Sequence, residues 1–261
     1  MQGINQHQLV IYPTDLTDSQ YEFIKEFIED NRKRKYSLKR IINAVMYICR
    51  SGVQWRMLPK EFPGWQLVYY YFRKWLKAGI WEKMQGYLRE RVRIKNGRKK
   101  CPSMAILDSQ SIKNSEWGIP DKGFDGNKKI KGRKRHIMVD TLGILLGILV
   151  TEANVHDSVA AKILLPRMKG KLPRLKKILA DGGYLGDELI QLARKWLNCI
   201  FEVVKRSDEK GFVILPKRWI VERSIAWFNW YRRLSRDYEA NMETSENWVL
   251  IASIAMLIRK F

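Results

Sequence analysis

Two aspartates stand directly after short apolar runs. Asp108 follows Met104-Ala-Ile-Leu107 and Asp181 follows Ile178-Leu-Ala180. Each run predicts a β-strand, and loops beyond strand ends are where mixed sheets place chemistry. Asp181 precedes Gly182 and Gly183, which allow a ligand close to the backbone. Either aspartate alone also suits a turn after its strand. If the strands are neighbours, the two carboxylates converge, and hard oxygens gathered in a positively charged protein suit Mg2+. A third acid, Glu222, lies among Trp219, Val221, Ile225, Ala226 and Phe228, a helical pattern with an extensive apolar face. A carboxylate in such company needs a partner. That partner is a metal, or an ion pair with Arg223 or with Arg218, one helical turn earlier.

The elements that must position these acids follow from hydrophobic periodicity. Arg135 to Val139 and Ile144 to Thr151 flank Thr141-Leu142-Gly143 as a hairpin. A helix from about Ser158 to Met168 follows, then the strand before Asp181, a helix from about Asp187 to Trp196, a strand Ile200 to Val204, and a helical region from about Pro216. The order predicts an α/β domain with a mixed sheet flanked by helices. Residues 118–135, basic and glycine-bearing, are expected to form a long loop.

Residues 1–96 predict an all-helical segment. Thr17 and Gln20 have capping-box spacing ahead of a helix to about Asp30. Ser37 caps a second helix stopped by Ser51-Gly52, a third runs from about Trp65 to Gly79, and a fourth runs from about Trp81 into a basic tail, Arg89 to Lys100. Helices joined through Gly52 and prolines are compatible with a helix-turn-helix relative. We expect a DNA-binding domain at 1–96, a basic linker at 97–103 and a catalytic domain at 104–261.

Charge names the partner. The 261 residues contain 49 Lys plus Arg against 27 Asp plus Glu, a formal net charge of +22. Residues 1–103 hold 21 of the basic and 9 of the acidic residues, about +12 of that excess. Clustered cations gain free energy by releasing counterions from a polyanion, so nucleic acid is the expected partner. Disorder is excluded by 46% apolar residues. Cys49, Cys101 and Cys199, odd in number and far apart, exclude a disulfide scaffold and are expected as reduced thiols. No uncharged apolar run reaches the roughly 18–20 residues that span a bilayer, and the first residues lack a signal-peptide pattern. A cytoplasmic, nucleoid-associated protein without membrane contact is expected.

The set Leu107-Asp108-Ser-Gln-Ser, Ala180-Asp181-Gly-Gly-Tyr184 and Arg218-Trp219-x-Val221-Glu222-Arg223, followed by Trp227-Phe-Asn-x-Tyr-Arg-Arg-Leu234 and Arg236-Asp-Tyr238-Glu239, resembles DDE transposases of bacterial insertion sequences, the insertion-sequence-five group above all. Tyr12-Pro-x-Asp-Leu-Thr17, Ser51-Gly-x-Gln-Trp55-Arg-x-Leu-Pro59 and Trp65 resemble that family's helical DNA-binding domain, so the resemblance covers almost the whole chain. It implies a ribonuclease H-like catalytic domain in which Asp108, Asp181 and Glu222 bind two divalent ions, Mg2+ with Mn2+ as a substitute. The implied chemistry is phosphodiester hydrolysis at the element's ends and transfer of the 3′-hydroxyl to target DNA. The resemblance departs at Leu215 and Asn229, where related families carry lysine or tyrosine around this helix.

The same resemblance implies that Arg218 holds a phosphate oxygen, with Arg223 beside it in a supporting role. His156, in Asn154-Val-His156-Asp157, either positions a water or phosphate or lies exposed while Asp157 or Ser158 caps the next helix. Expected DNA contacts are Arg32, Lys33, Arg34 and Lys35 in the first connector, Arg73 and Lys74 on the third helix, and Lys128, Lys129, Lys131, Arg133, Lys134 and Arg135 in the basic loop. Trp117 is expected to stack on an unpaired base, and Trp75, Trp219, Trp227 and Trp248 to lie in the core. The implied partners are double-stranded DNA at the terminal inverted repeats and target site, and a second copy of the chain in a homodimer or larger assembly. The rival function is a DNA-binding repressor or domesticated transposase without strand transfer.

Overall fold

The computed structural model describes residues 12–28, 32–115, 120–204 and 217–261. Five helices come first: α1 (Asp18–Glu22), α2 (Lys25–Ile28), α3 (Leu38–Ser51), α4 (Trp65–Lys77) and α5 (Ile80–Lys95). The capping box at Thr17 and Gln20 is present, but the expected single helix breaks into α1 and α2. Ser37 caps α3 through the Arg40 amide, and Gly52 ends it in the left-handed conformation. Thirteen residues, Gly52 to Gly64, join α3 to α4. That is far longer than the turn of a helix-turn-helix.

The strands are β1 (Met104–Lys113), β2 (Gly123–Asp125), β3 (Ile130–Asp140), β4 (Leu145–Glu152), β5 (Lys177–Ala180) and β6 (Ile200–Val203). They alternate with α6 (Asp157–Arg167) and α7 (Asp187–Leu197), and α8 (Trp219–Phe228) and α9 (Met242–Ile258) follow. The sheet runs β2-β3-β1-β5-β6, with β4 also paired to β3. β3 is antiparallel to β1, β2 and β4, while β1, β5 and β6 run parallel.

Alternation along the strands sorts side chains between two cores. Ile106, Ile137, Val139 and Leu179 face α3, α4, α5, α8 and α9, while Ala105, Leu107, Met138 and Ile178 face α6 and α7. The first core is continuous across residues 97–103, because α9, buried almost all round, packs on both α5 and β4. The helical and sheet-bearing segments therefore share a core rather than holding one each. The expected basic tail is the end of α5, and two of its arginines turn inward: Arg93 pairs with the buried Asp140, and Arg89 is buried beside it.

Within the expected loop at 118–135, residues 123–125 and 130–135 are strand. From residue 132 onward β3 is buried, and Arg133, Lys134 and Arg135 point into the protein. Arg133 donates to the carbonyls of Glu239 (2.9 Å) and Pro120 (3.0 Å) and pairs with Asp237. Arg135 donates to the Leu234 carbonyl at 2.8 Å. Lys134 donates to the Val155 carbonyl at 3.0 Å and lies 3.2 Å from Asp157. These three corrections have one cause: acids and carbonyls distant in sequence supply what a phosphate was expected to supply. Among the tryptophans, Trp75 and Trp248 are buried as expected, but Trp219 is exposed and Trp227 half-buried.

Candidate active site

β1 and β5 run parallel with Ile106 opposite Leu179. Two residues further along each chain stand Asp108 and Asp181, so strand register brings the two acids together. Asp108 is not at a strand end, since β1 continues to Lys113 against β3, with Asp108 opposite Ile137. What ends there is β5, which stops at Ala180, the residue before Asp181. Asp181 turns the chain by accepting the Gly183 amide at 3.0 Å.

Glu222 arrives on α8. Ile220, Val221, Ser224 and Phe228 form the buried face of this helix. Two bonds fasten it to the β3–β4 turn: Ser224 Oγ donates to the Gly143 carbonyl at 2.9 Å, and Arg223 Nη2 donates to the Leu142 carbonyl at 3.2 Å. Arg223 also lies between the rings of Trp219 and Trp227, 4.7 and 4.5 Å from their centroids. Arg223 thus positions α8 rather than pairing with Glu222.

Arg218 joins the acids. Its Nη2 lies 3.1 Å from Asp181 Oδ2 and 3.8 Å from Asp108 Oδ2, and its Nε lies 3.6 Å from Glu222 Oε1. One guanidinium therefore stands within 4 Å of all three candidate carboxylates, at hydrogen-bond distance from Asp181 and further from Asp108 and Glu222. Burial pushes the Asp108 carboxyl up to about 6; the Ser109 amide and Arg218 oppose the shift, and the neighbouring Asp181 adds to it. Lys128 donates to the Ser109 carbonyl at 3.0 Å, which sets a second cation beside Asp108.

Among the described residues, no three carboxylate, imidazole or thiol groups stand close enough to hold one ion as they are. The donor set nonetheless fits hard divalent cations: three carboxylates drawn around a single positive charge, one of them destabilised by burial.

Sequence reasoning missed the groups beneath this cluster. Asp157 reaches towards Asp181, since a side-chain carbon at Gly183 would lie 3.1 Å from Asp157 Oδ2 and 3.2 Å from Asp181 Oδ1. Lys134 and the buried His136 flank Asp157, and His136 Nε2 meets Thr151 Oγ1 at 3.0 Å. Tyr184 is buried under Asp157, Asp108 and Asp181, and burial followed by those charges raises its hydroxyl pKa. The acid after His156 was the available signal, yet its capping position masked it. The cap is His156 itself, exposed, with its Nδ1 accepting the Ser158 amide.

Of the remaining expected DNA contacts, Arg32, Lys33, Lys35, Lys128, Lys129 and Lys131 are exposed. Arg34, Arg73 and Lys74 are half-buried, with Arg34 Nε donating to the Tyr71 hydroxyl at 2.8 Å. Trp117 and Leu215 lie outside the described residues.

A mixed sheet with helices on both faces, two acids side by side on the parallel pair β1 and β5 and a third on a following helix, is the arrangement expected of a ribonuclease H-like domain. Comparison with known families agrees. Residues 99–257, more than half of the chain, match the model "Transposase DDE domain", and residues 16–85 match "Putative transposase of IS4/5 family". The chain belongs to the DDE transposases of IS4/5-type elements. It is 32% identical over 142 residues to "Putative transposase for insertion sequence element IS402" of Burkholderia cepacia. That match covers 51% of this chain and 64% of the relative, less than two thirds of its length.

Proposed function

We propose that the chain is a transposase that binds the terminal inverted repeats of an insertion sequence, cleaves DNA at its ends and joins the freed 3′-hydroxyls to target DNA. The observation that carries this reading is the convergence of Asp108, Asp181 and Glu222 on one guanidinium. These carboxylates would hold two Mg2+ ions, with Mn2+ able to replace them. When bound, the ions supply Lewis acidity for in-line displacement at phosphorus.

The chain's own residues supply the rest. Arg218, once released by the acids, is placed to hold a non-bridging phosphate oxygen. Lys128 adds a point charge on the same side, and the exposed Lys129 and Lys131 extend it along the DNA backbone. Ser224 and Arg223 keep Glu222 at the site by fixing α8 to the β3–β4 turn. Synapsis of two element ends calls for a homodimer or larger assembly, in contact with the nucleoid.

The test uses purified protein, Mg2+ or Mn2+, a duplex carrying the repeats that bracket the gene, and a target plasmid. Wild type should nick the duplex and join it to the plasmid, whereas Asp108→Asn, Asp181→Asn and Glu222→Gln should each lose both reactions by at least about a hundredfold. Equal cutting by all three variants would sink the reading. Binding of the repeats without metal-dependent cutting by wild type would favour a repressor or domesticated protein.

A further inference from the structure

The sequence Trp65-Gln-Leu-Val-Tyr-Tyr-Tyr-Phe-Arg-Lys-Trp-Leu-Lys77 contains no acidic residue. As helix α4 it buries Val68, Tyr71, Phe72, Trp75 and Leu76, a face set against α3, α5 and Trp248. At 100° per residue, positions 66, 70, 73 and 77 then form one stripe on the opposite side. Gln66, Tyr70 and Lys77 are exposed there, Tyr70 at 55%, and Arg73 is half-buried with a bond to Thr244. A surface helix in an ordinary domain would carry carboxylates on this face. This one carries an amide, a phenol and two cations.

Its borders are basic as well. Arg56 lies over the Trp65 ring, 5.4 Å from its centroid, at the start of the helix. Alongside the middle, the Arg34–Tyr71 hydrogen bond fixes the connector that exposes Lys33 and Lys35. The first turn has no acid, and its cap, Gly64, brings no side chain.

We propose that α4 lies in the major groove of double-stranded DNA and reads base edges through Gln66 and Tyr70, with Arg73 and Lys77 towards the groove wall and Lys33 and Lys35 on the phosphates. The stripe spans about 16 Å of helix, and a groove about 12 Å wide admits a single α-helix. A Gln amide pairs in bidentate fashion with adenine, and flanking cations set register on the backbone without reading sequence. This inference rests on the reading of the chain as a protein that binds specific DNA ends, and it separates recognition from chemistry. Helix α4 chooses the sequence, and the acid cluster acts elsewhere on the molecule.

The full-length chain, in EDTA so that nothing is cut, is incubated with a library of random duplexes, and the bound fraction is sequenced. Wild type should enrich a motif. Gln66→Ala and Tyr70→Ala should flatten that motif at one or two adjacent positions. Affinity for the enriched duplex should drop about tenfold, and affinity for an unrelated duplex less than about twofold. The double variant Lys33→Ala, Lys35→Ala should instead weaken both duplexes alike and reduce the salt slope by about two. Unfolding temperatures within a degree or so of wild type would verify the fold of each variant; for one that is destabilised, Gln66→Glu and Tyr70→Phe provide the same readout.

Three results would overturn the proposal: no motif enriched by wild type, an identical motif from both α4 variants, or a Tyr70→Ala chain that loses self-association while keeping the motif. Asp108→Asn should keep the motif unchanged. If the acid variants cut normally while the motif depends on α4, the catalytic reading falls and this one stands.

Discussion

Arg218 Nη2 and Asp181 Oδ2 are 3.1 Å apart, and the same guanidinium extends to Asp108 and Glu222. The positive charge that holds the acids together is thus part of the chain, so a divalent ion must compete with it for the same oxygens. Replacing Arg218 with Gln should tighten Mn2+ binding to DNA-free protein, by about threefold to tenfold if the displaced pair is worth roughly 1 kcal/mol. Strand cleavage should fall, because the phosphate loses its guanidinium partner. Calorimetric titration with Mn2+ measures the first effect; weaker ion binding in Arg218→Gln would show that the arginine organises the acids instead of competing for them.

Asp108 links the site to stability. Its pKa rises from the ordinary 3.8 to about 6 because the side chain is buried. Between those values the folded chain holds the proton more tightly than the unfolded chain does, so the contribution of this group to stability is fully present below about pH 4 and is lost as pH rises through 6. Asp108→Asn keeps the amide partner at Ser109 and removes the charge. In metal-free buffer it should therefore unfold at a higher temperature than wild type at pH 7.5, and the difference should close as pH falls below about 4. A gap independent of pH would mean that Arg218 fully compensates the buried charge.

What was legible in the sequence was local. The apolar run Met104 to Leu107, the box at Thr17 and Gln20, the Ser37 cap and the Gly52 stop each depend on neighbours a few residues away, and each is present. The pairing of Asp108 with Asp181 required only the guess that their strands are adjacent. Arg133 and Arg135 defeated the same approach, because the groups that bond them, Asp237, Glu239 and Leu234, arrive about a hundred residues later. Asp157 defeated it differently. An acid at the start of a helix has a sufficient local explanation, which masked its reach towards Asp181.

Gly143 tests how firmly α8 must be seated. Its backbone is left-handed at φ +83°, and an added methyl would sit 2.7 Å from Ser224 Oγ and 3.2 Å from Arg223 Nη2, the two atoms that fasten the helix. Gly143→Ala should cost about 1–3 kcal/mol through strain and displacement. It should also reduce DNA cleavage by more than the equally destabilising loss of a distant core methyl, since Glu222 moves with α8. Unfolding curves and single-turnover cleavage of both variants decide this. Equal losses of activity would confine Gly143 to a folding role.

Arg133 and Lys131 stand two residues apart in one basic run and should behave oppositely. Lys131 is exposed on β3, whereas Arg133 is fully buried, with four carbonyl acceptors and Asp237 3.5 Å away. Removing Arg133 leaves Asp237 buried with one cation fewer and leaves those carbonyls short of a donor, a loss of about 3–5 kcal/mol when a buried pair is broken. Arg133→Ala should consequently unfold at much lower denaturant or fail to accumulate. Lys131→Ala should change stability by less than about 0.5 kcal/mol and weaken DNA binding at low salt more than at high salt, as expected for a phosphate contact. Chemical denaturation and anisotropy titrations at two salt concentrations separate the outcomes. A salt-sensitive binding defect in a stably folded Arg133→Ala would return that arginine to the DNA surface.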